Sequence, residues 1–114
     1  MIKGRIVLVP FPFDDLSASK VRPAVCLTNP MGPYRHVIIS FISSRISADL
    51  LETDLVLDST KADFTKTGLR VSSTIRLHPL MTVTTSLFLR ELGELPPLIL
   101  EEVDNRLRKL FNLK

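Results

Sequence analysis

No apolar run in this sequence goes far before a turn residue stops it. Pro10 and Pro12 close the first, and the cluster Asn29-Pro30-Met31-Gly32-Pro33 parts the second from the third. Gly68 and Pro79 bracket a later run, and Gly93 with Pro96 ends the last. Short runs rich in β-branched residues and separated by turn chemistry specify the strands of a small sheet, not long helices. The runs predict strands at Ile6–Val9, Ala24–Thr28, Val37–Ile42, Thr53–Leu57 and Val71–Leu77. Residues 87–92 fit strand or helix, and the Gly and Pro that follow favour a short strand. Val37–Ile42 is nearly all apolar, as a central strand covered on both faces requires. Between the first two runs lies FPFDDLSASKVR, about a dozen residues where hairpin connections usually have about 2–5, and long loops often carry function. The polar stretch TKADFTKTG reads as a loop with one helical turn.

One helix is expected, at the C-terminal end. Pro97 suits its first turn, and Leu100, Val103, Leu107 and Leu110 recur at three- and four-residue spacing. Glu102/Arg106 and Asp104/Arg108 are spaced as i,i+4 pairs on the solvated side. With no composition break or repeat, residues 1–114 read as one domain, mainly β with a C-terminal helix (α+β). Five to seven short strands, mostly consecutive and hence antiparallel, make a strongly bent sheet or partial barrel.

Composition narrows the function classes. Apolar residues make up 45% and charged residues 24% of the 114, which excludes a disordered tail. Mean hydropathy is +0.22, a surplus for so small a domain, which suggests a surface covered by a second copy of the chain. The net charge of +3 permits a polyanionic partner and is too small to identify one. Cys26, alone and flanked by apolar residues, allows no disulfide or zinc framework and reads as a buried thiol of a cytoplasmic protein. The N-terminal run is broken by two prolines, unlike a signal peptide, and no stretch approaches the roughly 18 apolar residues of a membrane span. No cofactor is expected.

The polar residues that interrupt apolar strands are the candidates for chemistry: Arg22, Ser43, Ser44, Arg76 and His78. Each also has a plain structural reading. Arg22 can pair with Asp14 or Asp15, the serines can cap a strand, and Arg76 can sit on a solvated face.

The ordered set GRIVLVPFPF, VRPAVCLTN, VIISFISSRI, GLRVSSTIRLHPLMTV and LRELGEL resembles the MazF/PemK toxins of prokaryotic toxin–antitoxin pairs along essentially the whole chain. The resemblance implies an SH3-like bent antiparallel barrel, a homodimer, metal-independent cleavage of single-stranded RNA, and a cognate antitoxin. It ties cleavage to the arginine of the R-P-A strand and the Thr/Ser after the buried strand, which are Arg22 and Ser43. A later Arg-x-Asp pair of the PemK branch falls on Arg76 and His78, so a histidine stands where that branch has a carboxylate.

Without a metal, the ribose 2′-OH must attack the adjacent phosphorus to leave a 2′,3′-cyclic phosphate. Such a site needs a proton acceptor, a proton donor and a cation over the phosphorane. Arg22 and Arg76 suit the phosphate, because a guanidinium fork matches two of its oxygens. Ser43 can donate to a phosphoryl oxygen, and the imidazole of His78 belongs to a type that titrates near neutrality. Ser44, Lys20, Phe13, Lys66 and Arg70 are expected to contact RNA, with Lys61 flanking the same groove and Phe11 and Phe64 as further stacking candidates. His36 is expected at the surface. Two alternatives stay open: a gyrase poison of the same fold, and a binding protein that no longer cleaves, the latter because a loop with Asp14 and Asp15 is less basic than RNA contact calls for.

Overall fold

The computed structural model describes residues 1–11 and 20–114. In these, seven strands precede one helix: β1 (Arg5–Pro10), β2 (Val21–Cys26), β3 (His36–Ser43), β4 (Asp54–Leu57), β5 (Ser73–Arg76), β6 (Met81–Thr84), β7 (Arg90–Glu94) and α1 (Pro97–Leu110). Two 3-10 turns, Phe64–Thr67 and Thr85–Leu87, punctuate the later strands. Every pairing is antiparallel, in the order β4-β5-β3-β2-β1-β7. β6 is the exception to the linear order, because it also pairs with β3.

The sheet curls because β3 serves two strands along one edge. Its first half, His36–Ile39, pairs with β6, and its end, Ile42 and Ser43, pairs with β5. Those partners lead apart, and the sheet closes into a half-barrel, the mainly β architecture with a C-terminal helix that the strand pattern predicts. β6 was not expected. Its four residues, MTVT, make too short a run to stand out, and pairing with β3 makes them a strand. The expected strand at 87–92 is shifted, with a 3-10 turn ending at Leu87 and β7 starting at Arg90. β5 is shorter than the Val71–Leu77 run, since it begins at Ser73 and ends at Arg76.

Two-residue alternation sorts the strands onto two faces. On one, Ile6, Val25, Ile42 and Ile75 pack against Val103 of α1, with Leu100, Leu107 and Leu110 of the helix at the margin. On the other, Val7, Val9, Ala24, Cys26, Val37 and Ile39 form a second cluster, and Phe41 and Val83 are half-buried against it. β3 is therefore covered on both faces, as its composition predicts. Cys26 is fully buried, and burial, then the negative charge of Glu91, pushes its thiol up to about 11 against a smaller opposing pull from Arg5.

β7 carries a bulge. Ile6 pairs with Gly93 and Val7 with Glu91, which leaves Leu92 without a strand partner. The Phe64–Thr67 turn lies on this bulge, backbone against backbone. A Cβ at Gly68, whose φ is +73°, would come within 2.1 Å of Leu92 O, and one at Gly93 within 2.3 Å of Lys66 O. Phe64 is thereby buried in the helix-side core, where it anchors the loop and is not available to stack on a base.

The helix forms one of its two expected i,i+4 pairs. Arg106 Nε donates to Glu102 Oε1 at 2.8 Å. Asp104 is drawn instead to Lys3, 3.1 Å away, while Arg108 donates to Asn105 Oδ1 at 2.7 Å. Arg106 Nη1 reaches further, to the backbone carbonyls of Glu52 and Asp54, and so fastens α1 to the start of β4. Among the described residues, no helix is long and apolar enough to cross a membrane.

Candidate nucleic-acid interface

The sheet register gathers the polar residues on the face opposite α1. The pairing of β2 with β3 ends at Ala24 and Phe41, and Arg22 and Ser43 each lie two residues beyond that last pair. Ser43 pairs in turn with Thr74 of β5, and Arg76 of β5 pairs with Asp54 of β4. By alternation Arg22, Ser43, Thr74, Arg76 and Asp54 share the face of the second apolar cluster, at the end where the apolar residues give out.

Here the surface sinks into a groove of about 600 Å³, lined by Phe11, Arg22, Phe41, Ser43, Ser44, Arg45, Arg76 and Pro79 among others. A second cavity of about 520 Å³ shares Ser43, Arg45 and Arg76 and adds Asp49, Asp54 and the loop residues Ile46 and Leu50. A third, of about 320 Å³, shares Arg22 and Ser44 and adds Arg70 and Arg90. Ser43, Arg45 and Arg76 join the first two into one trough with three arginines and two aspartates, and the third opens from it at Arg22 and Ser44 onto the helix-side residues Ile42, Leu69 and Leu92, where Arg70 and Arg90 stand.

Arg22 is the most constrained of the cations. Its guanidinium carbon lies 4.8 Å from the centre of the Phe11 ring, and Phe11 meets Phe41 edge-on at 4.9 Å. Its Nε is buried and has no hydrogen-bond partner among the described residues. Ser43 Oγ accepts the backbone N–H of Arg45 at 3.1 Å, and Thr74 Oγ1 donates to the carbonyl of Arg45 at 3.1 Å. These two bonds fix the Ser43-Ser44-Arg45 turn and leave the Ser43 hydroxyl hydrogen available to an acceptor in the groove. Arg76 is half exposed, with Nε 3.8 Å from Oδ1 of the buried Asp54. The trough can therefore offer hydrogen-bond donors to an anion from three strands, on a rigid scaffold.

Of the residues singled out by sequence, Arg22, Ser43, Ser44 and Arg76 line the trough and Arg70 the cavity that opens from it. His78 is exposed in the bend after β5 and is not among the lining residues, although Pro79 beside it is. Lys20, just before β2, and Lys66 also lie outside the lining, and Lys66 sits 3.8 Å from Asp63. Lys61 borders a separate apolar cavity near the start of α1. His36 is exposed, its ring stacked on Tyr34 at 6.0 Å. Phe13, Asp14 and Asp15, and with them the expected pairing of Arg22 to a carboxylate, lie outside the described residues.

Sequence reasoning passed over Arg45, Arg90 and Asp54. Arg45 directly follows the two serines, and Asp54 opens the otherwise apolar DLVL strand, which is the same interruption that marked Arg22. Among the described residues, no three His, Cys, Asp or Glu side chains converge as a set of metal ligands.

Comparison with known proteins gives the same frame. The sequence model of the PemK-like, MazF-like toxins matches residues 2–111. No curated protein matches the sequence significantly. The structure superposes on the Mycobacterium tuberculosis toxin MazF-mt6 with a TM-score of 0.71 and 18% identity, over 96% of this chain and 98% of that one. It also superposes on an endoribonuclease in complex with its cognate antitoxin from a mycobacterial species, with a TM-score of 0.69 and 12% identity, over 100% and 95% of the two chains. At these identities the structural likeness speaks to fold, and the sequence match speaks to descent. A match along nearly the whole chain, on a half-barrel of this type with an arginine-lined trough, means that the chain belongs to the PemK-like, MazF-like toxin family of type II toxin–antitoxin systems.

Proposed function

We propose that this toxin is a metal-independent endoribonuclease that cleaves single-stranded RNA by attack of a ribose 2′-OH, leaving a 2′,3′-cyclic phosphate. The observation that carries the reading is the Nε of Arg22, a buried donor without a partner, in a groove shared with Ser43 and Arg76. A buried unpaired N–H is costly, and a small shift of the guanidinium towards a phosphate in the groove would satisfy it. As charge builds on the phosphorane, Arg22 and Arg76 stabilise it from β2 and β5, and the Ser43 hydroxyl donates a third hydrogen bond. Because Arg22 is held against Phe11, it need not reorganise as the reaction proceeds.

Proton transfer falls to His78, two residues beyond Arg76, whose exposed imidazole can reach over Pro79 once RNA is bound. Ser44, Arg45, Arg70 and Arg90 extend the cationic track for the RNA backbone. Lys20, Phe13 and Lys66 are kept as outer RNA contacts. The antitoxin-bound mycobacterial relative supports a protein inhibitor for this chain too. Exposed Leu87 and Leu89, beside half-buried Phe88, continue the second apolar cluster outwards and support a homodimer. A cytoplasmic location follows from an RNA substrate and a lone buried thiol.

The test is direct. Antitoxin-free protein is incubated with mixed-sequence single-stranded RNA in EDTA, and the product ends are mapped. Discrete cuts with cyclic phosphate ends are expected, and intact RNA in the presence of folded protein would overturn the reading. A His78→Ala variant with unchanged rate and pH profile would remove that residue from the mechanism.

A further inference from the structure

We infer that Asp54 is the positioning residue for Arg76: its buried carboxylate attracts the guanidinium from the Nε side by charge and leaves the two terminal amino groups for a ligand in the groove. Asp54 opens β4 and pairs directly across from Arg76 of β5. The two differ sharply in freedom, because the Asp54 side chain is 3% exposed and that of Arg76 is 49% exposed. A long, half-exposed arginine alone would sample many rotamers and present its fork to a phosphate only part of the time.

The carboxylate, by contrast, is locked. Its Oδ2 accepts the backbone N–H of Leu51 at 3.0 Å, which sets the orientation of the group. The backbone carbonyl of the same residue accepts Arg106 Nη1 from α1, and Arg106 is itself braced by Glu102. What remains is Oδ1, buried, without a hydrogen bond, and 3.8 Å from Arg76 Nε. Leaving one oxygen of a buried carboxylate unsatisfied is unfavourable unless a cation faces it, and Arg76 does. The attraction acts through charge at 3.8 Å and uses neither terminal amino group, so both remain for two oxygens of one phosphate. The same residue borders the cavity of about 520 Å³ beside the groove, so Arg76 is held where that cavity and the groove meet. Asp54 acts through Arg76 and has no part in the proton transfers.

Two measurements test this, and only the second rests on the nuclease reading. In the free protein, the Arg76 Nε–H signal is identified by its loss in Arg76→Lys and its nitrogen relaxation is followed by NMR. Its order parameter should stand clearly above that of an exposed arginine such as Arg35, and Asp54→Asn should abolish the difference. A wild-type order parameter as low as that of Arg35, or a high one that survives Asp54→Asn, overturns the inference. In the cleavage assay, Asp54→Asn should lower kcat about tenfold with KM little changed in the wild type, and by less than about twofold in an Arg76→Ala background. Equal losses in both backgrounds overturn it. If wild-type protein cleaves no RNA, the nuclease reading falls and the relaxation measurement decides. If Asp54→Asn fails to fold, the wild-type order parameter decides alone.

Discussion

Replacing Arg22 by Met should make the protein more stable and less active at once. The side chain of Arg22 lies under Phe11 with its Nε buried and unpaired among the described residues. An unsatisfied buried donor costs about 1–3 kcal/mol. Against that stands the cation–π contact with Phe11, at 4.8 Å, a geometry that contributes about 0.5–1 kcal/mol. Met has nearly the same stem, carries no donor, and keeps contact with the aromatic pair through a polarisable sulfur. The balance favours Arg22→Met by about 1 kcal/mol, equivalent to about 4 °C in melting temperature for a chain of this size. Cleavage should fall about 10²- to 10³-fold, the usual cost of removing one donor to a developing oxyanion. Arg22→Lys keeps the charge without Nε or the planar fork, and its activity should lie nearer to Met than to wild type. Calorimetry at fixed protein concentration and cleavage of one RNA, both on the same preparations, supply the numbers. A melting temperature lowered by more than about 4 °C would show that Arg22 serves the fold, and the argument from its unpaired Nε would fail.

The glycines separate strain from contact. Gly32→Ala meets no atom within 4 Å and carries only the cost of φ +73°, about 1–2 kcal/mol, whereas Gly93→Ala is driven against Lys66 O and Gly68→Ala combines both faults. Urea denaturation should rank Gly32→Ala as mildest and Gly68→Ala as most damaging, and equal losses at Gly32 and Gly68 would refute the packing of the 3-10 turn on β7. Cys26 should make the protein sensitive to alkali. Its thiol is raised to about 11 from an ordinary 9.0 by burial first, so the unfolded chain ionises before the folded one does. Its contribution is intact below pH 9 and lost as pH rises towards 11, by about 2–3 kcal/mol in all. Urea midpoints measured against pH should show this decline in wild type but not in Cys26→Ala.

Local patterns were readable where they were long. The helix announced itself through Leu100, Val103 and Leu107, and β3 through an unbroken apolar run. β6 was hidden because four residues cannot show a period, and its strand character comes from His36–Ile39 on another part of the chain. Phe64 looked like a loop residue because the turn around it is polar, yet that turn is pressed onto the β7 bulge and takes the ring into the core. Arg22, Ser43 and Arg76 were visible as interruptions of apolar strands, and the register then brought them to one groove. Asp54 and Arg45 carry the same signal more faintly, and their importance depends on which strand lies beside which. Asp104 left its expected partner because Lys3, about a hundred positions away in sequence, is nearer in space.

The double service of β3 has a further consequence for how activity can be lost. A slip of one residue in that strand would exchange Ile42 for Ser43, sending a hydroxyl into the helix-side core and an isoleucine into the groove. β2, β5 and β6 would all have to accept the shift together. Assembly of the groove and closure of the sheet are therefore a single cooperative event, with no folded state in which the strands are paired and the groove is absent. Variants weakened in the core should then lose active molecules and keep the turnover of each folded one.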